Sequence, residues 1–302
     1  MSTREAQDRG ARLATEPWQS SSSTQTLLRG SGHSVREILG QRELLSLLVR
    51  RELKARYKDS SLGFLWSLLR PLTVLLVYYV AIGKFLGAER AIPQFAIYIF
   101  TGLIAWQLFQ EIITSSTASI VGNAGLVKKV YLPREVFPLS AVGAALFTFF
   151  TQMVILAAAV VVTDQVPSGS RLLFLPLSVG VLLVYATALG LMLAAVNVYL
   201  RDVQYLVEIG TTILFWASPV VYSWRLVSDT LSGSWMESLY LGNPVTLAVL
   251  GMQRALWIAG SDEPMPDGLG TRLIIAFGIG VVLLWLSQRL FARLQGNFAQ
   301  EL

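Results

Sequence analysis

Residues 41–86 read QRELLSLLVRRELKARYKDSSLGFLWSLLRPLTVLLVYYVAIGKFL, a basic segment that continues without a linker into a long apolar stretch. In the first half, Leu44, Leu45, Leu48 and Val49 fall on one helical face, while Arg42, Arg50, Arg51 and Lys54 occupy the others. That distribution fits a helix lying on an anionic membrane surface. Glu52 and Arg56 follow at i, i+4, the order in which a helix pairs charges best, so the last turns are expected to face protein as well. An ordinary solvated charge run is the plainer reading. The immediate continuation Leu62-Gly63-Phe64-Leu65-Trp66 argues against it, because the chain turns straight into apolar sequence.

The composition extends this reading to the whole chain. Of 302 residues, 54% are hydrophobic and 14% charged, and the mean hydropathy is +0.57, too apolar for a soluble domain of this size. The expected fold class is an all-α polytopic membrane protein with six transmembrane helices, an N-terminal interfacial helix and short re-entrant outer helices before the last span. The net charge of +5 is dispersed between apolar runs, so no nucleic-acid partner is expected. There is no Cys, and the only His is His33, so thiol chemistry is excluded and no metal site is expected.

Residues 1–35 are rich in Ser, Thr, Gln and Gly and lack a signal-peptide core, which predicts a disordered cytosolic tail before a membrane domain over 36–302. Six apolar runs are each long enough, at about 20 residues, to cross a bilayer: 62–86, 95–117, 136–163, 172–199, 203–222 and 273–290. With the N-terminus inside, the basic residues from Arg36 to Lys58 fall in the cytosol with Lys128, Lys129, Arg134, Arg201, Arg289 and Arg293. Only Lys84, Arg90, Arg171, Arg225, Arg254 and Arg272 remain outside, so both termini are placed in the cytosol of a multi-pass plasma or inner membrane protein.

Ala186, Gly190 and Ala194 form a small-residue seam for helix packing. Pro219 is expected to kink or end the fifth run, as a hinge or as a tolerated helix end. In the outer connection 223–272, Asn243-Pro244 reads as a helix start, and the apolar stretch to Ile258 is too short to span. It predicts a re-entrant outer gate built on Pro219, Asn243 and Pro244, turning near Gly251 or Met252; a soluble outer helix is the alternative.

The inside loop 122–138 carries two lysines, two prolines and an Arg-Glu pair, which suits a charged knob offered to a cytosolic partner. With its neighbours it resembles a known pattern. The run Lys54-Ala55-Arg56-Tyr57-Lys58-Asp59-Ser60-Ser61-Leu62-Gly63-Phe64-Leu65-Trp66, then Pro71, is similar to the N-terminal signature of type-2 ABC transporter permeases of the polysaccharide-export kind. So are Gly102-Leu103-Ile104-Ala105-Trp106, the block Leu126 to Glu135, Ser218-Pro219-Val220-Val221-Tyr222 and Asn243-Pro244, in the family's order. The resemblance implies a permease that dimerises, pairs with two separate ATP-binding subunits, and exports lipid-linked glycan such as O-antigen, teichoic acid or galactan. It implies ATPase coupling by Val127, Lys128, Lys129, Val130, Tyr131, Pro133, Arg134 and Glu135, with Arg50, Arg51, Glu52, Lys54 and Arg56 on the ATPase-facing surface.

No Gly-x-x-x-x-Gly-Lys-Ser/Thr loop occurs, so no cofactor is expected on this chain, and ATP with Mg belongs to the partner. Three readings compete. An exporter of the same family can carry a small molecule or lipid instead. A secondary transporter calls for repeated halves and midplane charges, whereas Arg70, Glu111 and Glu208 lie toward the cytosolic side. A membrane-embedded enzyme needs an acid/base or nucleophile set that is not evident.

Tyr78, Tyr79, Phe100, Trp106, Phe109, Phe149 and Phe215 can line a glycan path or simply pack. At about 1.5 Å per residue, Arg70 lies about 12 Å into the first run and Glu111 about 10 Å into the second. A polar seam of Ser67, Arg70 and Thr73 facing Gln107, Glu111, Thr114 and Ser115 is expected, with Arg70 paired to Glu111 where an anionic lipid headgroup arrives.

Overall fold

The computed structural model describes residues 40, 42–57, 65–129 and 132–302. The expectations for residues 1–35, Lys58, and Val130 and Tyr131 lie outside the described residues. All regular structure among the described residues is helical. The labelled helices are α1 (Arg42–Tyr57), α2 (Trp66–Tyr78, continued by a π-helical stretch Tyr79–Phe85), α3 (Phe95–Gly122), α4 (Ala124–Lys129), α5 (Val136–Val162), α6 (Phe174–Tyr199, preceded by a 3-10 stretch Gly169–Leu173), α7 (Val203–Trp216), α8 (Trp224–Leu231), α9 (Trp235–Leu241), α10 (Pro244–Leu256) and α11 (Leu269–Leu294).

Five of these helical stretches are long and apolar enough to cross a membrane: Trp66–Phe85, Phe95–Gly122, Val136–Val162, Gly169–Tyr199 and Leu269–Glu301. The expected sixth, 203–222, is helical only over the 14 residues of α7. Pro219 explains the early stop: it has no N–H to give the carbonyl of residue 215, and it drives Ser218 away from helical backbone angles.

Most of α3 is buried, and α6 packs against α3, α10 and α11, so these helices form the centre of the bundle. The small-residue seam of α6 serves that packing. Ala186 and Ala194 are fully buried, and a Cβ at Gly190 would lie 2.8 Å from the Ser116 Cβ of α3. Gly190 therefore fixes how closely the two helices approach.

A second apolar cluster joins Leu48 of α1 to Ile120, Val136, Val198, Phe291 and Phe298 at the end of the bundle that carries residues 123–135. Leu44 and Leu45 pack against the same cluster, and Val49 lies so close to α5 that a Cβ at Gly143 would come within 2.7 Å of its Cγ2. The apolar stripe of α1 is thus seated on protein, while Leu47 stays 62% exposed.

The connection expected to lie outside also differs from expectation. Helix α10 runs unbroken through Gly251 and Met252, and it turns only at Trp257–Gly260. Gly251 is needed for packing: a Cβ there would overlap Ser178 Oγ of α6 and meet Leu273 of α11. Residues 245–253 are buried in the protein. The side chain of Arg171 holds the far end of α10, donating to the carbonyls of Arg254 at 3.0 Å and Trp257 at 3.4 Å and to Ser261 Oγ at 2.6 Å.

Candidate functional site

Along α3, Gln107, Gln110, Glu111, Thr114 and Ser115 recur at helical spacing on one face of a largely apolar helix. Helix α5 meets that face with Thr148 and Gln152, α2 with Trp66, Ser67, Arg70 and Pro71, and α1 with Arg56. Together they enclose an open cavity of ≈ 570 Å³. Its walls are tied by side-chain bonds: Gln152 Nε2 donates to Gln107 Oε1 at 3.0 Å, and Thr148 Oγ1 to Glu111 Oε1 at 3.5 Å.

The carboxylate of Glu111 forms its ion pair with Arg56 of α1. This replaces the expected Arg70–Glu111 pair; α1 folds back over α5, so the end of α1 reaches Glu111. Arg70 lines the same cavity, is exposed, and has no hydrogen-bond or ion-pair partner among the described residues. Two guanidinium groups against one carboxylate leave the lining net positive, which favours an anionic or polyhydroxylated guest.

Of the aromatic residues read as lining a path or packing, none lines this cavity. Trp106, Phe109, Phe100 and Phe149 are buried in the core, and Trp106 Nε1 donates to Gln110 Oε1 at 3.0 Å. Tyr78 is half-buried and sits on Phe215, with ring centroids 6.2 Å apart. Gln110, Thr148 and Gln152 were not singled out from sequence. A signal was available: Thr148 and Gln152 are polar residues at i, i+4 in a helix that is otherwise almost wholly apolar.

The residues expected to couple to an ATPase divide into two groups. Lys128 and Lys129 are exposed on α4, and Arg50, Arg51 and Lys54 are exposed on α1. Val127 and Glu135 are instead buried, Gln295 Nε2 lies 3.5 Å from Glu135 Oε1, and the Arg134 guanidinium sits 5.8 Å from the Phe298 ring centre. Pro133 is half-buried. Arg51 donates to Asn123 Oδ1, whose Nδ2 donates to the Ser119 carbonyl at 2.7 Å, so α1 is linked to the start of the 123–135 segment. Glu52 accepts from Ser140 Oγ at 3.4 Å. Burial holds its carboxyl above the ordinary value, against the opposing pull of Arg56, the Ser140 hydrogen bond and Arg51.

At the other end of the bundle, the break after α7 is fixed by side chains. Gln253 Nε2 donates to the Pro219 carbonyl at 3.1 Å, and the Tyr98 hydroxyl to the Tyr222 carbonyl at 2.6 Å. Asn243 Oδ1 caps α10 by accepting from the Val245 N–H at 3.0 Å, its Nδ2 donates to Ser218 Oγ at 3.0 Å, and Pro244 occupies the first turn. Asn243 and Pro219, two of the residues expected in an outer gate, are thus held at adjacent points of the break, Asn243 through Ser218 and Pro219 by Gln253, and Tyr98 and Gln253 are unforeseen contributors. Pro219 is buried.

Comparison with known proteins agrees with this architecture. The sequence pattern of the ABC-2 type transporter family matches residues 43–257. The chain is 32% identical over 268 residues to the O-antigen export system permease protein RfbA of Myxococcus xanthus, covering 89% of this chain and 98% of that one. It is 28% identical over 261 residues to a protein of the same name from Klebsiella pneumoniae, covering 86% and 95%. It is 24% identical over 184 residues to the polysialic acid transport protein KpsM of Escherichia coli, covering 60% and 70%. With a family match across most of its described helices and a relative aligned along nearly its full length, the chain belongs to the ABC-2 type transporter family.

Proposed function

We propose that this chain is the membrane permease of an exporter that moves lipid-linked cell-envelope polysaccharide from the cytosol outward, working as a homodimer with two ATP-binding subunits. The observation that carries this reading is the alignment with a relative named as an O-antigen export permease over 89% of this chain. The cavity supports it, since a net-positive polar recess among apolar helices suits an anionic lipid headgroup bearing sugars. In this reading α7 and the break after it act as a sixth span, both termini are cytosolic, α1 lies at the inner membrane surface, and α8 to α10 form the outer gate.

Arg70, with Gln107 and Glu111 beside it, receives the headgroup at the cytosolic mouth. The exposed Lys128 and Lys129 face the ATPase. Hydrolysis of ATP, with its Mg, takes place on the partner chains. Depleting the protein should make a lipid-linked glycan accumulate on the cytosolic face, and an ATPase subunit should co-purify in stoichiometric amount. Loss of the protein with no lipid-linked intermediate retained would overturn the assignment of cargo.

A further inference from the structure

We propose that Arg70 and Glu208 form ion pairs between two copies of this chain, so that each copy supplies a carboxylate to the mouth of the other's cavity. The inference rests on the homodimeric reading above and specifies its contact. Glu208 is exposed on α7, and its carboxylate, like the Arg70 guanidinium, has no hydrogen-bond or ion-pair partner among the described residues. Only its main-chain carbonyl is engaged, by Thr211 and Thr212.

The two charges lie at the same level. Successive membrane helices alternate in direction, so α2 and α7 both begin at the end of the bundle that carries residues 123–135. Counted back from the contact between Tyr78 and Phe215 at about 1.5 Å per residue, Arg70 is about 12 Å and Glu208 about 10.5 Å toward that end. Within one chain these helices touch at their opposite ends, where Tyr78 meets Phe215.

Around the two charges, the outward faces of both helices are apolar. Trp66, Val74 and Val77 share the Arg70 face of α2, Tyr205 shares the Glu208 face of α7, and all four are exposed. Lipid can cover those residues, but it leaves a guanidinium and a carboxylate without partners in or next to hydrocarbon, which is costly. A second copy removes both costs at once. Around a two-fold axis, Arg70 meeting Glu208 of a second copy requires the reciprocal pair as well, giving two ion pairs per dimer from one contact.

The chain contains no Cys, which makes the test direct. Arg70→Cys in a copy with one tag and Glu208→Cys in a copy with another are co-produced and treated in membranes with a short flexible bis-thiol reagent, since an Arg–Glu contact can exceed disulfide reach. A doubly tagged dimer is expected, and none when either Cys copy is paired with a Cys-free copy. The mass of the purified wild-type permease is measured in parallel. A dimeric mass without the cross-link overturns the Arg70–Glu208 contact and leaves the dimer standing; a monomeric mass overturns both. Arg70→Glu and Glu208→Arg should each lower the dimeric fraction of the purified permease several-fold, and their combination should restore most of it. A combination no better than the single changes also overturns the pair.

Discussion

Arg56, in the last turns of α1, forms its ion pair with Glu111 in the second half of α3, joining the basic helix α1 to the wall of the polar cavity. Glu111 keeps only 15% side-chain exposure and Arg56 30%, so removing the guanidinium strands a mostly buried carboxylate. Arg56→Ala should cost about 1–2 kcal/mol, below the figure for a fully buried pair because solvent reaches Arg56. Arg56→Ala with Glu111→Gln should recover part of that loss. Thermal unfolding of the purified variants, with Glu111→Gln alone included, decides it: single effects that simply add in the double variant would show that the pair is not coupled.

Gly102 of α3 lies under the break after α7, where a Cβ would stand 2.7 Å from the Val220 carbonyl oxygen. The obstacle is backbone, so it cannot swing aside. Gly102→Ala should destabilise by about 1–3 kcal/mol, the usual range for overpacking. Gly122→Ala, with nothing within 4 Å of the added atom, should be neutral or slightly stabilising. If the two substitutions shift the unfolding temperature equally, the close approach of Val220 is not a constraint.

These contacts mark where the sequence could be read and where it could not. Membrane spans were legible because about 20 apolar residues have few other uses, and the polar stripe from Gln107 to Ser115 stood out against that background. Pairing was not legible. Arg70 was the expected partner of Glu111 and Arg56 that of Glu52; that Arg56 reaches Glu111 depends on α1 folding back onto Gly143, a tertiary fact. The aromatic residues stayed open for a related reason: in an apolar helix, Phe109 looks the same whether it faces a channel or the core, and it is buried. At α10, Gly251 suggested a turn, yet its lack of a side chain serves the contact with Ser178.

Glu52 gives a prediction in pH. Burial raises its carboxyl above the ordinary value, so the folded state binds its proton more tightly than the unfolded state does. Stability from this group is therefore present at low pH and declines as pH rises through the window between the unfolded and the raised folded value. Glu52→Gln, which can keep a hydrogen bond to Ser140 Oγ, should be at least as stable as the wild type at pH 7, with the difference closing below about pH 4. Unfolding curves across that range check the sign; a Gln variant less stable at pH 7 than at pH 4, relative to wild type, would reverse it.

The segment 123–135 separates surface from support within a few residues. Lys128 and Lys129 are exposed, and neither makes a hydrogen bond or ion pair among the described residues. Glu135 is 4% exposed beside Gln295 and the Arg134–Phe298 contact. Reversing both lysines to Glu should therefore leave stability within about 0.5 kcal/mol of wild type, as for most surface changes, while abolishing export and the permease's stimulation of its ATPase. Glu135→Ala should do the opposite in stability, costing about 1–3 kcal/mol by unmaking buried polar contacts. The informative measurement is ATPase activity of the assembled complex alongside unfolding of the permease. Normal stimulation by the double lysine variant would place the coupling surface elsewhere, and the exposed arginines of α1 would be the next residues to reverse.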